Sequence, residues 1–207
     1  MTPTPADRPP RVYLEEGERW VFAVAMDWPG WCRRGRGAED ALSTLDAYRD
    51  RYGSAVGRVL PAGDFEVIGS VAGTRTTDFG APDVRGPWDA EPPTGAELDR
   101  QVDLLEASWR TLDAVVAASG PDLRKGPRGG GRDRDGIVAH VREAERSWAP
   151  KVGTRFPPRT PWAEQRAGLV AVLRDGPVGT PWPVGYTLRR MAWHVLDHAW
   201  EIEDKQV

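Results

Sequence analysis

TLRRMAWHVLDHAWEIEDK, residues 187–205, decides how the rest of the chain is read. Leu188, Met191, Val195, Ala199 and Ile202 recur at intervals of three and four, which predicts an amphipathic helix with one buried face. At 100° per residue, His194 and His198 lie about 40° apart, one turn from each other. They fall at the border of the apolar stripe. An H-x-x-x-H pair so placed offers two imidazoles to one ion.

The chain has three histidines, and the third is His140. It falls in a second helical pattern, IVAHVREAERSW, at the edge of a stripe formed by Ile137, Val141, Ala144 and Trp148. Two helices with histidines at the margins of their buried faces can bring all three together. Three neutral imidazoles suit Zn, Ni, Co or Fe. They leave coordination positions open, which is the catalytic rather than the structural pattern. Glu143, Asp197 and Glu201 are candidates to accept the far ring N–H of a ligand and fix its tautomer. In projection Glu201 lies next to His194, and Glu143 flanks His140. Trp148 reads as core. Trp193 and Trp200 project away from the histidines, towards another helix, the N-terminal part or a partner subunit.

Working outward, a T-x-x-E pattern at Thr94 and Glu97 predicts a capping box. A helix follows, with Leu98, Val102, Leu105, Trp109, Leu112 and Val116 on one side and Gly120-Pro121 as its stop. The basic, Gly-rich loop over 123–136 lacks the G-K-[ST] end of a phosphate-binding loop and reads as solvated. A third helix begins at Thr160-Pro161, buries Leu169, Val172 and Leu173, and ends at Gly176. With the His140 and H-x-x-x-H helices, this predicts a four-helix bundle over residues 94–207.

The N-terminal half has a different rhythm. Residues 1–10 read as a flexible lead. RVYLEE (11–16) and WVFAVAMD (20–27), joined at Gly17, read as a hairpin. Pro29-Gly30 marks a turn, and residues 33–37 cross to a helix over 37–53 with Gly53 as its stop. Residues 64–73 read as a further strand, and the Pro/Gly-rich residues 76–93 as a linker. The whole is therefore expected to be an α+β protein: a small αβ module over 11–75, then the helical bundle.

Composition excludes several classes. The 207 residues are 40% hydrophobic and 29% charged, with a net charge of −3. No basic field points to nucleic acid. No apolar run is long enough for a membrane span, and MTPTPADRPP does not read as a signal peptide. Cys32 is the only cysteine, so an internal disulfide and cysteine-based zinc or iron–sulfur sites are excluded within one chain. A cytoplasmic location is expected.

Two resemblances attach to these patterns. VFAVAMDWPGWCRRGRGAEDALSTLDAY (21–48) resembles the HicB-like domain, on Asp27, Pro29, Gly30, Gly35 and the EDAL run at 39–42. That family includes antitoxins which carry a DNA-binding segment after this domain; no counterpart is evident here. His140, the H-x-x-x-H pair and the four-helix layout resemble the DinB/YfiT-like metal-binding bundles. The resemblance implies that His140, His194 and His198 form a metal triad. It further implies a thiol-dependent S-transferase or isomerase that uses a low-molecular-weight thiol such as bacillithiol or mycothiol on a small-molecule substrate. A homodimer is compatible with it. A non-catalytic metal- or ligand-binding module, a HicB-like regulator and a metallohydrolase stay open.

Overall fold

The hairpin forms as its β-branched and aromatic runs predict. β1 (Arg11–Glu16) and β2 (Val21–Ala25) pair antiparallel, with Tyr13 opposite Val24 and Leu14 opposite Ala23. Strand alternation sends Val12 and Leu14 to one face and Tyr13 and Glu15 to the other. Both faces are covered, so all four residues are buried. The crossing expected over 33–37 opens instead with a third strand, β3 (Cys32–Gly35), antiparallel to β2. CRRG carries little strand propensity of its own; pairing to β2 decides it. The helix expected over 37–53 is two helices, α1 (Ala38–Ala47) and α2 (Arg49–Val56), broken at Tyr48. Gly53 lies inside α2 and does not stop it. The end comes at Gly57, whose φ of 63° provides the left-handed C-cap. β4 (Glu66–Ala72) returns parallel to β1, and the sheet order is β3-β2-β1-β4.

The computed structural model describes residues 8–126 and 131–207, and the chain is an α+β protein. Residues 1–7 of the expected lead and 127–130 of the Gly-rich loop lie outside the described residues. The rest of the lead is anchored. Arg8 and Arg11 pair with the buried Asp27 at 3.0 and 2.6 Å, and the Pro10 carbonyl accepts the Glu66 N–H at 3.0 Å.

The segment read as a linker is a strap. It carries a short helix, α3 (Arg75–Phe79), and a 3-10 turn over Pro87–Ala90. Glu15, fully buried, accepts the Thr77 hydroxyl at 2.6 Å and the N–H groups of Asp83 and Val84 at 3.0 and 3.1 Å. Asp89 pairs with Arg189, both buried, and so ties the strap to the last helix. A Pro/Gly-rich composition signals no periodicity, but these polar groups are what hold the segment down.

Four longer helices follow: α4 (Gly95–Ala118), α5 (Arg134–Trp148), α6 (Trp162–Arg174) and α7 (Val184–Asp204). The expected capping box at Thr94 is absent; Thr94 makes no side-chain cap, and Glu97 turns to Arg100 and Gln101 at 2.7 Å each. The four helices share one core, with Val102, Leu105 and Leu112 meeting Ile137, Val141, Leu169, Leu173, Leu188, Met191 and Val195, all fully buried. α7 starts a turn earlier than residue 187, because Pro183 takes the N-cap.

α7 is buried on more than its bundle face. Leu196 and Trp200 enter a second core with Trp28, Trp31, Leu45 and Tyr52 of the N-terminal layer, and Trp193 meets Phe22 edge-on at 6.1 Å. Trp200 thus points away from the histidines, onto the N-terminal part; Trp193 reaches that layer too but, against expectation, also lines the histidine cleft, its ring 6.2 Å from that of His194. At Gly30 the turn after β2 presses on α7. Its φ is 98°, and an added Cβ would stand 2.8 Å from the Leu196 Cδ1. No helix among the described residues is long and apolar enough to cross a membrane.

Candidate metal centre

α7 and α5 pack side by side and bring His194, His198 and His140 into one cluster. One ligand atom from each ring can be chosen so that all three lie within 4.8 Å of one another. Ring centroids are 4.6 Å apart for His194 and His198, and 5.0 Å from His140 to each. His194 is buried; His140 and His198 are half-buried.

Hydrogen bonding orients the rings. His198 Nδ1 bonds Glu201 Oε2 at 2.8 Å, which leaves its Nε2 as the free nitrogen. His194 Nε2 and His140 Nε2 face each other at 3.1 Å. A neutral pair satisfies that contact only if one ring carries its proton there. A cation lying between the two lone pairs satisfies both. Nitrogens bonded to one metal at about 2.0–2.1 Å and near a right angle stand about 3 Å apart, so the observed spacing fits. The His194 Nδ1 is buried with no hydrogen-bond partner among the described residues. A ring that binds through Nε2 carries its proton on this nitrogen, a donor left without an acceptor.

Electrostatics keeps the ligands in the metal-binding form. Burial, with His198 and His140 beside it, holds the His194 imidazole down to about 2. Burial is also the main cause that lowers His140. Both rings are therefore neutral near pH 7, as a metal requires. The hydrogen bond from His198, with Lys205 at 2.6 Å behind it, holds the Glu201 carboxyl down to about 2. It remains a charged acceptor at neutral pH.

The three carboxylates expected near the ligands part company. Glu201 does contact the cluster, but at His198 and not at His194. Side chains three apart on a helix are neighbours, whereas a partner seven residues on lies two turns away. Glu143 lines the cleft with His140 but is exposed and paired with Arg146 at 2.5 Å. Asp197 makes no contact with a histidine; Arg33 takes it at 3.1 Å, across to the N-terminal layer.

The cluster opens on a cleft of about 380 Å³, lined by His140, His194, Ser147, Trp148, Arg190 and Trp193 among others. Trp148, expected in the core, is only partly buried and its ring lies 5.0 Å from that of His194, forming a wall. Cys32 is fully buried and burial pushes its thiol well up, so it is no nucleophile.

Two residues near the site escape a sequence reading. Glu145 sits on the buried side of α5 and accepts the indole N–H groups of Trp109 at 2.8 Å and Trp162 at 2.6 Å. It fixes α5 against α4 and α6, and so fixes where His140 stands. Its partners are 36 and 17 residues away, which no local pattern reveals. Arg190 precedes His194 by one turn; that i,i+4 spacing is a signal that was open to be read.

Fold and site together define an α+β protein whose helical half carries three histidines close enough to bind one metal ion. Comparison with known proteins finds no family model, no curated protein and no solved structure that matches this chain.

Proposed function

We propose that this chain is a metal-dependent enzyme of the DinB-like kind, transferring or isomerising a small electrophilic substrate with the help of a low-molecular-weight thiol. The observation that carries the reading is the three-imidazole cluster, two of whose members, His140 and His194, line an open cleft. His140, His194 and His198 would hold the ion, and Glu201 would hold His198 in the tautomer that presents Nε2. A divalent metal so held lowers the pKa of a thiol or water beside it, which supplies a nucleophile at neutral pH. Three protein ligands leave room for that group, and the cleft leaves room for its target.

Trp148 and Trp193 wall the cleft and limit water around the reacting atoms. The N-terminal layer, which resembles the HicB-like domain, serves in this reading as the support that buries the other side of α7. The test is turnover of an alkylating electrophile by metal-loaded protein with and without a small thiol. Product is expected only when metal and thiol are both present. Turnover without thiol would move the assignment to a hydrolase. Metal-loaded protein inert towards a panel of thiols and electrophiles would refute an enzymatic role.

A further inference from the structure

Arg190 stands in the same cleft with a guanidinium that forms no ion pair among the described residues; Glu15, which lines a smaller pocket with it, is taken by Thr77, Asp83 and Val84. Its Cζ lies 5.3 Å from the Trp148 ring centre and 5.1 Å from that of Trp193. Its Nη1 donates to the Pro82 carbonyl, which holds the group in place without cancelling its charge. Nε is buried without a partner, and Nη2 makes no hydrogen bond among the described residues. No carboxylate of the described residues pairs with Arg190. Glu143, the one carboxylate lining this cleft among them, is taken by Arg146.

Some arginines of the chain are ion-paired: Arg189, the adjacent residue, with Asp89; Arg33 with Asp197; Arg51 with Glu203 and Asp204. Others form no ion pair among the described residues; Arg34, too, lies over an indole, that of Trp20, and donates to a backbone carbonyl, that of Gly80, but it lies away from the histidines. A permanent cation stacked on indole faces, fixed by a backbone carbonyl and left without a counter-ion, is a ready receptor for a planar anion. The i,i+4 relation to His194 puts it one helical turn from the imidazole cluster, on the same face of α7.

We infer that Arg190 is a specificity-determining residue of this cleft, and that the substrate carries a carboxylate which docks on it while the reacting end faces the histidines. The inference rests on the reading of the cleft as a substrate site. It does not require that the nucleophile be a thiol.

The test titrates the full-length protein, metal-loaded and metal-free, with succinate and with succinamide, followed by tryptophan fluorescence and calorimetry. Trp148 and Trp193 report directly, because the guanidinium lies over both. Succinate should bind wild type roughly tenfold to a hundredfold more tightly than succinamide, the strength of a charge-assisted fork. Arg190→Gln should erase that preference by weakening succinate binding far more than succinamide binding. Arg190→Lys, which keeps the charge but not the planar fork, should fall between them. A preference that persists in the metal-free protein locates it at Arg190, since no ion is then present to take the carboxylate. Wild type that binds both probes equally or neither, or Arg190→Gln that keeps the preference while folded, would overturn the inference. Carboxylate binding with no thiol-dependent turnover would instead refute the transferase reading and leave this one standing.

Discussion

Replacing Glu201 by glutamine removes one charge from beside the cluster and leaves the side-chain shape nearly unchanged. Glu201 accepts the His198 Nδ1–H at 2.8 Å and pairs with Lys205 at 2.6 Å. The side chains of His198 and Glu201 are 13% and 26% exposed, so solvent screens the contact only in part. A hydrogen bond to a charged group contributes about 1.5–3 kcal/mol, and a neutral one about 0.5–1.5 kcal/mol. Glutamine retains the neutral bond, so the loss is about 1–1.5 kcal/mol, or roughly tenfold in metal affinity. Glu201→Ala leaves His198 no acceptor and should approach the hundredfold end of the range for such outer partners. Competition with a chromogenic chelator for zinc or cobalt, on folded protein at pH 7, measures both. Wild type, Glu201→Gln and Glu201→Ala with equal affinities would show that the carboxylate does not orient His198 for a metal.

Glu145 offers a test by pH. Burial holds its carboxyl above the ordinary value of 4.5, against Arg166 and the two indole N–H groups. An acid whose pKa is higher folded than unfolded holds its proton more tightly in the folded state; its contribution to stability is full below about 4.5 and is lost as pH rises through the folded value. Wild type should therefore lose part of its advantage over Glu145→Gln as pH rises from about 4.5, as read from urea unfolding; an advantage that widens with rising pH would contradict a buried carboxyl held above its ordinary value. Glu145→Ala should cost more, about 3–5 kcal/mol, because two indole N–H groups then lack their acceptor and Arg166 loses a buried carboxylate 3.6 Å away. Gly30→Ala must take a φ of 98° and set a methyl 2.8 Å from Leu196; it should destabilise by about 1–3 kcal/mol, and a variant as stable as wild type would mean the turn does not press on α7.

The features legible in the sequence are those that repeat locally. The three-and-four spacing of α7 and α5 placed His194, His198 and His140 at the edges of buried faces, and runs of β-branched and aromatic residues marked β1, β2 and β4. What stayed hidden depends on partners distant along the chain. CRRG becomes β3 because β2 is beside it, and the segment over 76–93 is held by Glu15 and Arg189, which no composition reveals. Helical projection put Glu201 beside His194, but side chains lean along the helix and the nearer neighbour, His198, takes it. The unpaired charge of Arg190 is invisible until its surroundings are known.

His140, His194 and His198 are proposed to hold a single ion. Elemental analysis of the full-length protein after loading with zinc, cobalt, nickel or iron and desalting tests it directly, with His194→Ala alongside. Roughly one metal per chain in wild type and none in the variant, with both folded by circular dichroism, is the predicted result. Wild type that retains no metal, or a variant that retains as much as wild type, would contradict it.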